Sequence, residues 1–415
     1  RLDAERILIN NYAESGLTAD RSGDPRAAVL WFANAVAAAG NHPSQERDNR
    51  VRMQSWLSQF AVPVQAFTYG PDWNKTLSYH RDSQALLTVT DAGDGQWLDL
   101  AAGTKHPISL TGPITAAAWS PGGSTAVAAA KQTVATFQYP TGRELERWES
   151  DDEVSCIQFS QDGSLLVIGG HRSVQFRDVA KRQPRFPAVQ ISSPVSSLEV
   201  SPDGRWIAFR SNDQQIHVYS VGREDGAVKA VMPPQPAASE GEIPPLFIAT
   251  DRLVTYDSQE QAVRCWDLEG GKVLWQQPIN RALCMALSPS RQWLAVGDNS
   301  DIVVLDVTSP EPFRHQIRLR NLLHAFAFSP NSDRLLATCN DHLVHLFEIP
   351  SGRPACAPIP HNSAAHRCAW APDGSTFTTV NWGGNLLRAW KPPPPAVQGA
   401  LPPDSASGPA AGPDA

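Results

Sequence analysis

Short apolar runs alternate with polar turns along most of this chain, and the whole pattern returns about every forty residues. The turn Ser201-Pro202-Asp203-Gly204 is followed by the run Trp206 to Phe209, a polar stretch Ser211 to Gln214, and Ile216-His217-Val218-Tyr219. Pro372-Asp373-Gly374 leads in the same way through Phe377 to Val380, the turn Asn381 to Gly384, and Leu387 to Trp390. The same punctuation stands at Ser120-Pro121-Gly122-Gly123, Ser160-Gln161-Asp162-Gly163, Ser288-Pro289-Ser290 and Ser329-Pro330-Asn331-Ser332. Two weaker copies, His80-Arg81-Asp82-Ser83 through Asp99 and Ala249-Thr250-Asp251 through Asp267, bring the units to eight.

Runs such as Leu165 to Ile168, Leu294 to Val296 and Leu335 to Thr338, bounded by Gly, Asn, Asp and Ser, predict strands rather than helices. Each unit then holds three or four strands joined by hairpins. A lone four-stranded sheet leaves apolar faces and open edges uncovered, so the units must stack around a ring. The predicted fold is mainly β, an eight-bladed β-propeller, with seven blades if the Ala249 unit is an insertion.

Phe159-Ser160-Gln161-Asp162-Gly163 with Phe176-Arg177-Asp178, and Trp266-Asp267 after its strand, resemble WD (Trp-Asp) repeats from about residue 64 to 391. WD repeats often carry a Gly-His pair before the first strand, its His bonded to a later Asp. The comparable positions here are Gly112-Pro113, Asp152-Glu153 and Ser193-Pro194. A buried His-Asp network is therefore expected to be missing, with blade packing resting on Trp119, Phe159, Trp206, Phe328 and Trp370. The last unit stops one strand short after Trp390, and Val64-Gln65-Ala66-Phe67 is predicted to supply that strand and close the ring.

The N-terminus follows a helical period. Residues 1–43 predict a helical hairpin interrupted at Ser22-Gly23-Asp24-Pro25, with Asp24 as N-cap and Pro25 at the first helical position. Gly16, Ala28, Phe32 and Ala35 make this segment resemble one tetratricopeptide repeat. A third helix, residues 44–63, is expected to be capped by Ser44 and to carry Val51, Trp56, Leu57 and Phe60 on its apolar side. The propeller is assigned to 64–391 and a disordered Pro/Ala-rich tail to 392–415. Pro233 to Pro245 reads as a long loop in the fifth unit.

The formal charge of −7 comes with no basic run, so the electrostatic footprint of nucleic-acid binding is not expected. No membrane-spanning stretch is present in the sequence pattern. Six scattered cysteines in a chain of 415 residues read as free thiols of a reducing, cytoplasmic compartment. Arg in place of Lys, with abundant Ala and Pro, suggests a GC-rich bacterial genome, and Arg1 suggests a piece of a longer protein.

Candidate chemistry is sparse. His80-Arg81-Asp82 spells the kinase catalytic loop, but Leu87 stands where its metal-binding Asn belongs, and no other kinase signature follows. Cys356, His361, His366 and Cys368 carry zinc-ligand atoms without the tight spacing that preorganises a site, and they read as loop and strand residues. His342 and His345 are expected to line a strand edge. Ser201 to Phe209 also resembles the propellers of periplasmic TolB and prolyl oligopeptidases, without a Gly-x-Ser-x-Gly elbow. Leu268 to Trp275 resembles a single quinoprotein blade. No catalytic, cofactor or metal residues are assigned, no cofactor is expected, and the chain is not expected to be an enzyme.

The expected function is a protein-interaction scaffold with protein or peptide partners on the propeller rims. A helical segment followed by a WD propeller is similar to the C-terminal regions of bacterial Ser/Thr protein kinases. That resemblance implies a sensing or recruiting arm. A stand-alone adaptor, or the propeller of a hydrolase or quinoprotein, are the alternatives.

Overall fold

The computed structural model describes residues 2–21, 25–57, 60–68, 74–222, 228–230, 235–236, 243–298, 300–309, 312, 314–319, 321–382 and 386–394. They fall into two compact units, one of residues up to 59 together with those from 393 on, the other Phe60–Pro392.

The first unit holds α1 (Leu2–Arg21), α2 (Pro25–Ala38) and α3 (Pro43–Leu57). Ile9, Ala13, Ala28, Phe32 and Ala35 are buried on α1 and α2, with Ala39 buried just after α2. Gly16 is required by packing, since a Cβ there would meet the Phe32 ring at 2.8 Å. The cap assigned to Asp24 lies outside the described residues. For α3 two expectations fail. The helix begins at Pro43, whose fixed φ suits a first helical position, so Ser44 lies inside it. Val51 and Leu57 are exposed, while the buried position is Asn49, whose amide donates to Gln45 O at 3.0 Å.

The second unit is a ring of eight antiparallel sheets, numbered here as blades in chain order with strands a to d. Blade 1 runs Asn74–Tyr79, Ala85–Thr90, Gly95–Asp99 and Thr104–Ile108. Blade 2 runs from Ala116 to Glu149, blade 3 from Val154 to Gln190, blade 4 from Val195 to Ala230, and blade 5 from Leu246 to Pro278. Blade 6 spans Ala282 to Arg318 and blade 7 Leu323 to Pro360. Blade 8 takes Ala365–Trp370, Phe377–Asn381 and Leu386–Lys391, and its fourth strand is Val62–Thr68 from the start of the unit. That closing strand pairs antiparallel with Leu386–Lys391 and begins two residues before the expected position 64.

The Ala249 unit is a complete blade, which excludes the seven-bladed alternative. The loop assigned to the fifth unit instead gives Gln235–Pro236 to blade 4, paired with Gln215 and Ile216. The tail beyond residue 394 lies outside the described residues.

Stacking is what buries these sheets. Strands a of neighbouring blades lie side by side around the axis, and the Trp119 and Trp370 indoles each donate to the preceding strand a, at Ser78 O (3.2 Å) and Ala327 O (3.1 Å). Strands b are the most buried, and Ala85–Thr90 and Leu165–Gly170 are buried at every position, because a neighbouring sheet covers each face. Strands d are mostly exposed. Among the described residues each of the eight seams holds its own apolar cluster, from Leu87, Trp97 and Phe137 between blades 1 and 2 to Phe67, Leu86 and Val380 between blades 8 and 1. Truncating a fully buried anchor such as Phe209 to Ala costs about 3–5 kcal/mol by the usual cavity and transfer terms.

Candidate interaction face

Two kinds of connection meet on one face of the ring: the turns between strands b and c, and the loops from strand d of one blade to strand a of the next. They are stitched together by main-chain hydrogen bonds, including Val154 N to Lys131 O (2.8 Å), His171 N to Glu153 O (3.0 Å) and Asn340 N to Leu322 O (3.0 Å). This rigidity lets exposed side chains hold fixed positions at small entropy cost on binding.

In place of a loop His bonded to a turn Asp, other polar ties join loop and turn at two of the named positions. Asp152, in the loop before strand a of blade 3, is buried and aims its carboxylate at the b–c turn. One oxygen accepts from Ser173 N at 2.9 Å and from Arg172 N. Gly170 makes room, since a Cβ there would lie 2.7 Å from that oxygen. The loop acid thus binds the turn directly, the reverse of a loop His binding a turn Asp. In blade 4, Ser193 Oγ accepts from Asp213 N at 3.0 Å.

In blade 8 the loop residue is a histidine, at Pro360-His361. His361 Nδ1 donates to Ile359 O (3.1 Å), and Nε2 accepts from the Thr379 hydroxyl (2.7 Å). Thr379 Oγ1 in turn accepts from Trp390 Nε1 at 2.9 Å. Burial above all, with Arg388 adding to it, pulls the His361 pKa down to about 4, so the imidazole is neutral at pH 7.

Beside this relay the face carries an aromatic rim. Trp382, in the b–c turn of blade 8, is 42% exposed, and Leu322, just before strand a of blade 7, is 43% exposed. The Trp382 indole packs against His324 (5.5 Å between centroids) and His366 (6.2 Å). Trp382 N donates to Ala364 O at 2.6 Å, and Asn381 Nδ2 donates to Asn362 Oδ1 at 2.8 Å beneath it. Burial lowers the His324 pKa, favouring its neutral form against the indole. A fixed, half-exposed Trp on a face that also exposes a Leu is the composition of a protein-binding anchor. Position 382 carried no signal in the repeat, because turn residues vary freely there.

The string His80-Arg81-Asp82 is structural. His80 is buried against Trp119 and Tyr139, with Nε2 2.6 Å from Gly123 O and Nδ1 2.6 Å from Asp82 Oδ1. Asp82 also accepts from Gln84 N, closing its own turn. Partial burial works to raise its pKa, but these hydrogen bonds hold it below the usual carboxylate range. Burial, aided by Asp82 and Asp99, pushes Tyr139 up to about 12.

Cys356, His361, His366 and Cys368 form no common metal-ligand group among the described residues. His342 lies in a b–c turn, where its carbonyl accepts from His361 N at 2.8 Å, and His345 lies on strand c of blade 7, stacked on Phe347, rather than at a sheet edge. The residues that do converge are Cys339, Asp341 and His345, whose ligand atoms lie within 4.8 Å of one another. Burial drives the thiols of Cys156, Cys265, Cys339 and Cys368 up to about 12, which suits none of them to nucleophilic work. No described helix is long and apolar enough to cross a membrane.

The family described as WD domain, G-beta repeat matches residues 142–178 and 188–220, which are parts of blades 2 to 4. Transducin-like enhancer protein 2 of Mus musculus is 28% identical over 215 residues, covering 50% of this chain and 27% of its own length. Protein groucho of Drosophila melanogaster is 26% identical over 214 residues, covering 50% and 28%. The alignment thus spans little more than a quarter of these relatives. Among solved structures, the computationally designed Ika8 protein superposes with a TM-score of 0.63 at 14% identity, covering 80% of this chain and 99% of its own. The Cps50 (Swd1) β-propeller domain of Myceliophteria thermophila gives 0.52 at 13% identity, covering 68% and 97%. With seven four-stranded blades, a fifth short strand on blade 4 and a closing strand from the start of the ring, the described residues form an eight-bladed β-propeller that carries WD repeats at residues 142–178 and 188–220.

Proposed function

We propose that this propeller is a non-catalytic recruiting arm, binding partner proteins through the rim at Leu322 and Trp382 within a larger bacterial signalling protein such as a Ser/Thr kinase. The observation that carries the reading is Trp382, a large exposed aromatic fixed by backbone hydrogen bonds on a rigid ring. The similarity to Transducin-like enhancer protein 2 and protein groucho supports a scaffold role. The α1–α2 hairpin, closed by Gly16 against Phe32, supports a tetratricopeptide-like segment leading into the propeller. Six free cysteines support a cytoplasmic setting.

The test is to capture the native polypeptide from its source cells, measure its intact mass, and compare co-purifying proteins between wild type and Trp382→Ala. A mass larger by a kinase-sized domain, with partners lost in the variant, supports the proposal. A mass near that of this chain makes it a free adaptor, and an unchanged partner set removes the rim from the binding site.

A further inference from the structure

Blades 4 and 7 carry the same three stations. In blade 4 they are Ser211 at the end of strand b, Asp213 in the b–c turn, and His217 on strand c. In blade 7 they are Cys339, Asp341 and His345, at the same spacing. In blade 4 the three side chains converge on one point: Ser211 Oγ donates to Asp213 Oδ1 at 2.5 Å and lies 3.1 Å from His217 Nε2. The hairpin geometry therefore brings these stations together without help from a ligand.

Blade 7 replaces the hydroxyl by a thiol. A thiol is a weak hydrogen-bond donor, so the replacement loses the cross-link that Ser211 makes. It gains a soft metal ligand. Cys339 is fully buried and Asp341 is exposed. Asp341 Oδ1 accepts from Leu343 N at 3.0 Å, which holds the carboxylate in place, and Oδ2 faces His345 Nε2 at 3.5 Å. One sulfur, one nitrogen and one oxygen within 4.8 Å form a borderline donor set. Metal–ligand bonds of about 2.0–2.3 Å put tetrahedral ligands roughly 3.3–3.8 Å apart, so small side-chain rotations close the triad.

We propose that Cys339, Asp341 and His345 bind a transition-metal dication of the zinc class, with water completing the tetrahedron on the exposed Asp341 side. The site takes the place of the Ser-Asp-His cross-link of blade 4 and fastens the b–c turn of blade 7 on the interaction face.

Cobalt(II) is the probe. The full chain, stripped with chelator, is titrated with cobalt while the thiolate-to-cobalt charge-transfer band is recorded, and zinc is then added as competitor. One equivalent of cobalt raising the band, displaced by zinc, is the expected result. Cys339→Ser should abolish the band while the chain still folds, because blade 4 already accommodates serine at that station. His345→Gln should weaken cobalt binding by more than the about 10–100-fold that losing a mere outer partner of a ligand costs. Cys356→Ser should leave the band intact. No band at one equivalent, a band that survives Cys339→Ser, or cobalt affinity unchanged in His345→Gln overturns the proposal.

Discussion

Replacing His361 by Gln tests the blade 8 relay through its dependence on pH. Burial holds His361 neutral down to about pH 4 in the folded chain, whereas an unfolded histidine protonates near 6.5. The folded pKa is depressed, so the stability tied to the neutral ring is complete above about pH 6.5 and is lost as pH falls through about 4. At about 1.4 kcal/mol per pKa unit, acidifying from about pH 7.5 to 4.5 removes about 2–3 kcal/mol. Glu199 on strand a of blade 4 works in the other direction. Burial outweighs the lowering effect of Arg291 and raises its pKa to about 7, so its contribution is complete below the ordinary carboxylate pKa and is lost as pH rises through about 7. The wild-type slope mixes both groups, and the informative quantity is the difference between variant and wild type. Urea unfolding followed by tryptophan fluorescence at the two pH values supplies it. His361→Gln should lose about 2–3 kcal/mol less on acidification than wild type. Equal acid losses in the two proteins would refute the assignment of a buried, neutral His361.

Three further outcomes follow from the same geometry. Asp152→Ala leaves the Arg172 and Ser173 amides without their carboxylate and should cost about 1–3 kcal/mol in urea unfolding, whereas Asp152→Asn, which keeps an acceptor oxygen, should cost less. Removing residues 1–68 strips the closing strand from Leu386–Lys391 and uncovers the seam around Phe67, so unfolding should broaden and the chain self-associate in size-exclusion chromatography; removing only residues 1–57 should do neither. Gly204→Ala places a Cβ at ordinary van der Waals distance, 3.9 Å from Ser160, with no clash, at a φ of 70°, so the loss of about 1 kcal/mol in urea unfolding reports mainly backbone strain.

The ring was legible because its punctuation obeys backbone rules that any copy must satisfy. The polar ties were not, because a search for the letters Gly-His presupposes the polarity of the bond. Asp152 reverses donor and acceptor, and His361 bonds a threonine on strand b instead of a turn acid. The metal-ligand triad escaped for a related reason. Proximity in sequence drew attention to Cys356 through Cys368, while the atoms that meet are fixed by register across one hairpin. Writing blade 7 beneath blade 4 would have set Cys339, Asp341 and His345 under Ser211, Asp213 and His217. The α3 error had a different source: an apolar pattern predicts a buried face only if something covers it, and Val51 and Leu57 are exposed.

The turn between strands a and b shows how the repeat tolerates its own decay. Its fourth residue is left-handed in blades 1 to 4 and 6 to 8, with φ between 59° and 73°, which explains the glycine at 123, 163, 204 and 374. Blades 1, 6 and 7 place Ser83, Arg291 and Ser332 there instead. Each of these side chains reaches the preceding blade: Ser83 Oγ accepts from Asp373 N and Ser332 Oγ from Ser290 N, while Arg291 donates to Phe247 O. The cost of a left-handed non-glycine residue, about 1–2 kcal/mol, is thus offset by a hydrogen bond across a seam, worth about 0.5–1.5 kcal/mol. The glycine sites show why the exchange is open to selection. At Gly163, Gly204 and Gly374 an added Cβ would stand 3.5–3.9 Å from the preceding turn, close enough for a short polar side chain to bond across it. A turn that reads as degenerate in sequence is therefore a second solution to the same problem, joining blades through a side chain where the others join through shape.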